Sequence, residues 1–129
     1  MLSIDVDYND YWIWQAIDCI EPRVVVIEYN ASWPPPSCVT VPYDAEGEWK
    51  GDNLFGASLA ALAKLGDRKG YRLVGCSLSG VNAFFVRKDL CGERFLAPGS
   101  AAEHYEPARY FLAGLRSGHT PAIGSLVEV

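Results

Sequence analysis

The sequence predicts an α/β domain, a mixed sheet with helices packed on it, on three observations. The run Arg23-Val24-Val25-Val26-Ile27-Glu28-Tyr29 is β-branched and apolar on both faces, the pattern of a strand buried between helix layers in a parallel sheet. Helical periodicity precedes it at Ile13, Ala16, Ile17 and Ile20, and returns after it at Phe55, Leu59, Leu62 and Ala63. Two further strand-like runs, Tyr71 to Cys76 and Val81 to Arg87, are separated only by Ser77 to Gly80, which makes them a hairpin.

The first element is Leu2-Ser3-Ile4-Asp5-Val6, alternating apolar and polar as a strand does. Asp7 to Asp10 offers turn and N-cap chemistry, and a helix follows from Asp10 until Pro22 ends it by disfavouring helix at Glu21. Trp12 and Trp14 flank Ile13 on that helix and so face different sides, one toward the core. After the second strand, Asn30 to Asn53 is a long irregular stretch with Pro34-Pro35-Pro36, Pro42 and Gly47. Loops of that length are functional or mobile more often than not. Its aromatics, Trp33, Tyr43 and Trp49, argue that it packs on something. A second helix is expected over Phe55 to Lys69, with Gly70 as its C′ residue and Lys64, Arg68 and Lys69 placed for its macrodipole. Beyond Leu90 the pattern fades to a short helix within Tyr105 to Leu115 and an extended end at Leu126 to Val129.

Composition bounds the rest. The 129 residues suffice for one domain with one modest core. A net charge of −5, with Arg68, Lys69 and Arg72 the only loose basic group, leaves no footprint for nucleic acid. No apolar run approaches the ~20 residues that span a bilayer, and no signal peptide follows Met1, so a cytoplasmic protein is expected. The four cysteines, Cys19, Cys38, Cys76 and Cys91, form no closely spaced pair, which argues against zinc and for reduced thiols.

Ligands of open α/β sheets bind outside the carboxyl ends of the strands. Asp5 and Asp7 leave the first strand at that edge, and are the candidate catalytic residues. They could accept hydrogen bonds from a ligand amine, hold a cation or act as a base. Capping of the helix by Asp7 or Asp10 is the plainer role. Glu28 and Asn30 end the second strand, and parallel neighbours place their carboxyl ends side by side. With Trp33 from the loop beyond, they are the candidate substrate-binding residues. Oxygen ligands of this kind suit a hard metal ion, but the spacing is no metal signature and none is expected.

Gly75-Cys76-Ser77-Leu78-Ser79-Gly80 is similar to a nucleophile elbow, with Asp89 and then His104 and His119 downstream. Ser79 stands where that motif wants glycine, and Val81 to Arg87 reads as a strand where the elbow needs a helix. A hairpin turn is expected.

Several of these pieces, taken in order, resemble a known family. Ser3-Ile4-Asp5-Val6-Asp7 followed by Asn9-Asp10-Tyr11-Trp12 resembles the fourth-strand motif of FkbM-like S-adenosylmethionine-dependent methyltransferases, which carry glycine where this chain has Tyr8. Arg23 to Tyr29 resembles the next strand. Phe55-Gly56-Ala57-Ser58-Leu59 into Lys69-Gly70-Tyr71-Arg72-Leu73-Val74-Gly75 resembles the helix and strand after it, and Gly80 to Arg87 the last hairpin strand. The resemblance covers residues 2 to 90, and 91 to 129 form a C-terminal extension of the same single domain.

It implies a partial Rossmann-like sheet of four mixed strands in the order 1-2-4-3, the fourth antiparallel and inserted between its neighbours. It also implies that the half carrying the Gly-rich cofactor loop is missing, since no G-x-G precedes a helix. The isolated chain is therefore expected to hold no cofactor and to be a truncated, non-catalytic module that retains the fold and can offer a small-molecule pocket. Alternatively it is half of a methyltransferase that binds S-adenosylmethionine when another chain completes it. The strand at Leu2–Val6 would lie inside the sheet of a full-length relative. Here it leaves an open edge, and a homodimer through that edge is expected.

Overall fold

The computed structural model describes residues 1–95, 100–114 and 118–129. Its main sheet contains β1 (Leu2–Ile4), β2 (Val24–Glu28), β4 (Tyr71–Cys76) and β5 (Asn82–Arg87), and a two-stranded sheet pairs β3 (Val39–Thr40) with β6 (Val127–Glu128). Helices α1 (Asp10–Ala16) and α2 (Leu59–Arg68) pack on the main sheet, and α3 (Lys88–Cys91) and α4 (Ala101–His104) are single turns. The main sheet runs β1-β2-β5-β4, with β1 parallel to β2 and β5 antiparallel to both its neighbours. In this numbering the order is 1-2-5-4 rather than 1-2-4-3, because the loop after β2 contributes a strand of its own, β3.

Pleating sends alternate residues of each strand to opposite faces. Val25 and Ile27 of β2, Ala83 and Phe85 of β5 and Tyr71 and Leu73 of β4 are buried on one face, beneath α1 and α2. Val24, Val26 and Glu28 lie on the other and are only half-buried. The apolar run of β2 therefore corresponds to one fully buried face and not to the two expected. At its centre Trp14 packs on Phe85, with ring centroids 4.8 Å apart, and edge-on to Tyr71 at 6.0 Å. Truncating such a buried Trp to Ala costs about 3–5 kcal/mol.

The buried face of α1 is Asp10, Tyr11 and Trp14, not the aliphatic stripe. Ile13 and Ile20 are exposed and Ile17 is half-buried. Aromatic area outweighs aliphatic periodicity here: Tyr11 and Trp14 bury far more apolar surface than the isoleucines they displace. The Tyr11 hydroxyl is still served, accepting a 2.8 Å hydrogen bond from Arg68 Nη2. The helix stops at Ala16, well before Pro22. Lys69 reaches across from the end of α2 to the carbonyls of Gln15 and Ile17, at 3.3 and 2.7 Å, and satisfies α1 rather than its own helix end.

α2 begins at Leu59 and not at Phe55. Ser58 caps it, its Oγ accepting from Ala61 N at 3.2 Å and from Val39 N at 3.0 Å. The residues before the cap are committed elsewhere. Asn30 N donates to Ala57 O, Val41 N to Gly56 O and Ser58 N to Val39 O, so the chain from Gly56 to Ser58 braces the long loop. Trp12 holds the same loop from the other side, its indole N–H donating to Val41 O at 2.9 Å while its ring meets Tyr43. That loop is held down, but by these hydrogen bonds more than by burial of its own aromatics, since Tyr43 and Trp49 are exposed and Trp33 is half-buried.

Ser77 to Gly80 forms the hairpin turn. Ser77 Oγ accepts from Asn82 N at 2.9 Å and Val81 N at 3.2 Å and touches Ser79 Oγ, so it closes a turn and does not open a helix. The C-terminal segment pairs with the loop rather than the edge of β1: Val39 faces Glu128 and Thr40 faces Val127. Within the helix expected over Tyr105 to Leu115, Tyr110–Ala113 forms one 3₁₀ turn, and Leu115 lies outside the described residues. No helix among the described residues is long and apolar enough to cross a membrane.

Candidate functional site

The parallel register Ile4–Ile27 carries Asp5 out beside Glu28. Asp7 follows in a left-handed conformation, φ +64°, which turns the chain back toward α1 and which aspartate tolerates better than most residues. One carboxylate oxygen from each of Asp5, Asp7 and Glu28 lies within 4.8 Å of the others. Asp5 and Asp7 are exposed and Glu28 is half-buried. The sheet thus brings together three of the five expected site residues, and a set of oxygens close enough to share one cation.

Asp10, which in sequence suggests only a helix cap, is fully buried. Its Oδ1 accepts from Val6 N at 3.1 Å, and its Oδ2 has no partner. Burial pushes its pKa up to about 6, with Asp5 and Asp7 adding to the rise against two backbone hydrogen bonds. Glu28 goes further, to about 8, driven first by burial and then by the charges of Asp10, Asp5 and Asp7. Glu28 Oε2 is likewise buried without a partner. An unpaired buried oxygen is costly, and more so when charged.

Asn30 and Trp33 fall elsewhere. Asn30 is fully buried, its Nδ2 donating to the carbonyls of Asn53 and Phe55 at 2.9 and 3.0 Å while its Oδ1 accepts from Ser32 N. Its amide ties the two ends of the long loop together. Trp33 is half-buried and does not line the cavity beside Glu28.

That cavity, of about 50 Å³, is lined by Asp7, Glu28, Trp49, Phe55 and His119. Its lining combines two carboxyl groups with three rings. His119 stacks edge-on to Trp49 at 4.9 Å and to Tyr110 at 4.6 Å, and lies 5.3 Å from Phe55. The backbone fixes these rings: Trp49 Nε1 donates to Asp52 O at 2.6 Å, Asn53 N to Thr120 O at 3.1 Å, and Ala122 N to Asn53 Oδ1 at 2.8 Å. Burial lowers the His119 pKa despite the opposing charge of Asp52, so the ring favours its neutral form. Burial and then Glu28 raise that of Tyr110, which places its phenol within reach of the same charge.

Sequence reading missed this aromatic wall. In sequence Trp49 reads as a packing residue, His119 as a distant partner for Ser77, and Phe55 as part of a helix stripe. The one available signal was the density of aromatics in a loop too long to be mere connection.

No protein-family model, no curated protein and no solved structure matches this chain.

Proposed function

We propose that the chain is a self-associating α/β module, related to the C-terminal half of FkbM-like methyltransferases, that binds a small molecule where β1 and β2 end and does not catalyse methyl transfer alone. The antiparallel β5 held between β2 and β4, beyond a parallel pair, supports the Rossmann-like methyltransferase ancestry. Glu28 carries the binding reading: it lines a cavity at the sheet edge where such folds take ligands, and its Oε2 is buried without a hydrogen-bond partner.

The residues do not fit S-adenosylmethionine. The turn after β1, Asp5 to Asn9, is acidic and holds no glycine, so it offers no close backbone approach and would repel the carboxylate of the cofactor. The cavity is also far below the ~300–1,000 Å³ typical of larger ligands. Calorimetric titration with S-adenosylmethionine tests this, with no saturable heat expected. One-to-one binding at micromolar concentration, lost in Asp5→Ala, would overturn it.

Self-association rests on β1, which ends the sheet with no strand beyond it among the described residues. Ser3 is exposed on it, and no Lys or Pro blunts it. Light scattering at tens of micromolar should give twice the 14.2 kDa chain mass, reverting in Ser3→Lys. A native protein that stays at one chain mass refutes the dimer. The same free edge supports a second reading, a half-enzyme completed by another polypeptide that adds strands there and brings the cofactor loop.

A further inference from the structure

We infer that the cavity between the Asp7 and Glu28 carboxylates and the Trp49, Phe55 and His119 rings takes a small organic ammonium ion. The inference rests on reading this cavity as a small-molecule site and names the chemistry of its occupant.

Each wall excludes something. The acidic side repels an anion, and a neutral apolar guest would leave the Asp7 and Glu28 carboxyl groups without a partner of opposite charge. A hard metal ion wants about six oxygens around it, whereas half of this lining is ring carbon. An alkylammonium ion meets both halves. Its charge, and any N–H it carries, faces Glu28 and Asp7, while its carbon atoms lie against the rings, whose negative faces attract a cation.

Size agrees. A cavity of about 50 Å³ holds a few heavy atoms, since one water-sized sphere needs about 10–15 Å³ on this measure. That suits a head group and not a nucleoside. The rings are also held before binding, by the Trp49–Asp52 hydrogen bond and by the strap of Thr120 and Ala122 on Asn53, so little ordering is left to do. Burial favours the neutral form of His119, so it does not compete as a cation.

The groups facing Glu28 are all acidic or weakly titrating: Asp5, Asp7 and Asp10 from the first strand and helix, and Tyr110 and His119 from the C-terminal segment. Among the described residues no arginine or lysine lines the cavity, and three pair with acids elsewhere. Arg109 meets Glu106, Arg87 meets Asp89 and Lys88 meets Asp67.

The test is a two-dimensional NMR titration of the full chain with trimethylammonium chloride, with tert-butanol as a neutral compound of similar size, and with magnesium chloride. Trimethylammonium should shift the Trp49 indole N–H and the His119 ring saturably, and Glu28→Gln and Trp49→Leu should each weaken it at least tenfold while keeping the native spectrum elsewhere. If tert-butanol binds as well, the cavity stands as a site but the cation does not. If only magnesium moves the site, through Asp5, Asp7 and Glu28, the occupant is a metal ion and the inference is overturned. If no probe shifts these resonances, the small-molecule reading falls with it.

Discussion

Glu28 and His119 line one cavity from opposite parts of the chain, the first at the end of β2 and the second in the segment that straps back over the loop. A carboxyl group desolvated by that arrangement and surrounded by Asp5, Asp7 and Asp10 holds its proton far above the usual range.

A pH dependence of stability follows. Glu28 is raised from 4.5 to about 8 and Asp10 from 3.8 to about 6, so the folded chain binds more protons than the unfolded one between these limits. Their stabilising contribution is whole below about pH 4 and is lost as pH rises toward 8. The two titrate as a coupled set, so no single step belongs to one residue. Glu28→Gln, which imitates the protonated form, should unfold about 1–3 kcal/mol later than the native chain at pH 8.5 and near parity at pH 5. Urea unfolding at the two pH values measures it. Equal stability at both would show Glu28 to be solvated.

Gly66 lies where α2 comes closest to the sheet. A β-carbon there would stand 2.9 Å from the Phe85 ring and 2.9 Å from the Trp14 indole. Although alanine is the better helix former, Gly66→Ala should cost about 1–3 kcal/mol by overpacking. A lowered urea midpoint with an unchanged slope is the expected readout.

Asp7 holds a positive φ without being glycine. Asp7→Gly should fold with equal or greater stability, by about 0.5–1 kcal/mol, and Asp7→Ala should lose about the same amount. Thermal unfolding of the pair, compared at pH 7, separates backbone strain from lost charge, because both variants remove the carboxylate.

How far the sequence revealed this depended on whether a signal was local. The run Val24 to Ile27 was legible because β-branched residues without polar interruption have few other homes, and the place of Asp5, Asp7 and Glu28 followed from the way parallel strands align their ends. The face of α1 was misread because Ile13, Ile17 and Ile20 keep a helical period while Trp14 and Tyr11 carry the area. Asn30 had the right chemistry for a ligand contact, yet its amide meets the backbone of Ser32, Asn53 and Phe55, partners that no short-range pattern announces. Trp49, Phe55, Tyr110 and His119 converge from irregular segments, where neither period nor capping residues record which side chains will meet.

The most direct test is the titration of the Glu28 side-chain carboxyl carbon by ¹³C NMR, in the free protein and with saturating trimethylammonium. The account predicts a free value near 8 and a clear fall on binding, as a cation in the cavity stabilises the ionised form. A carboxyl that titrates near its ordinary 4.5, and does not move when the ligand is added, would contradict it.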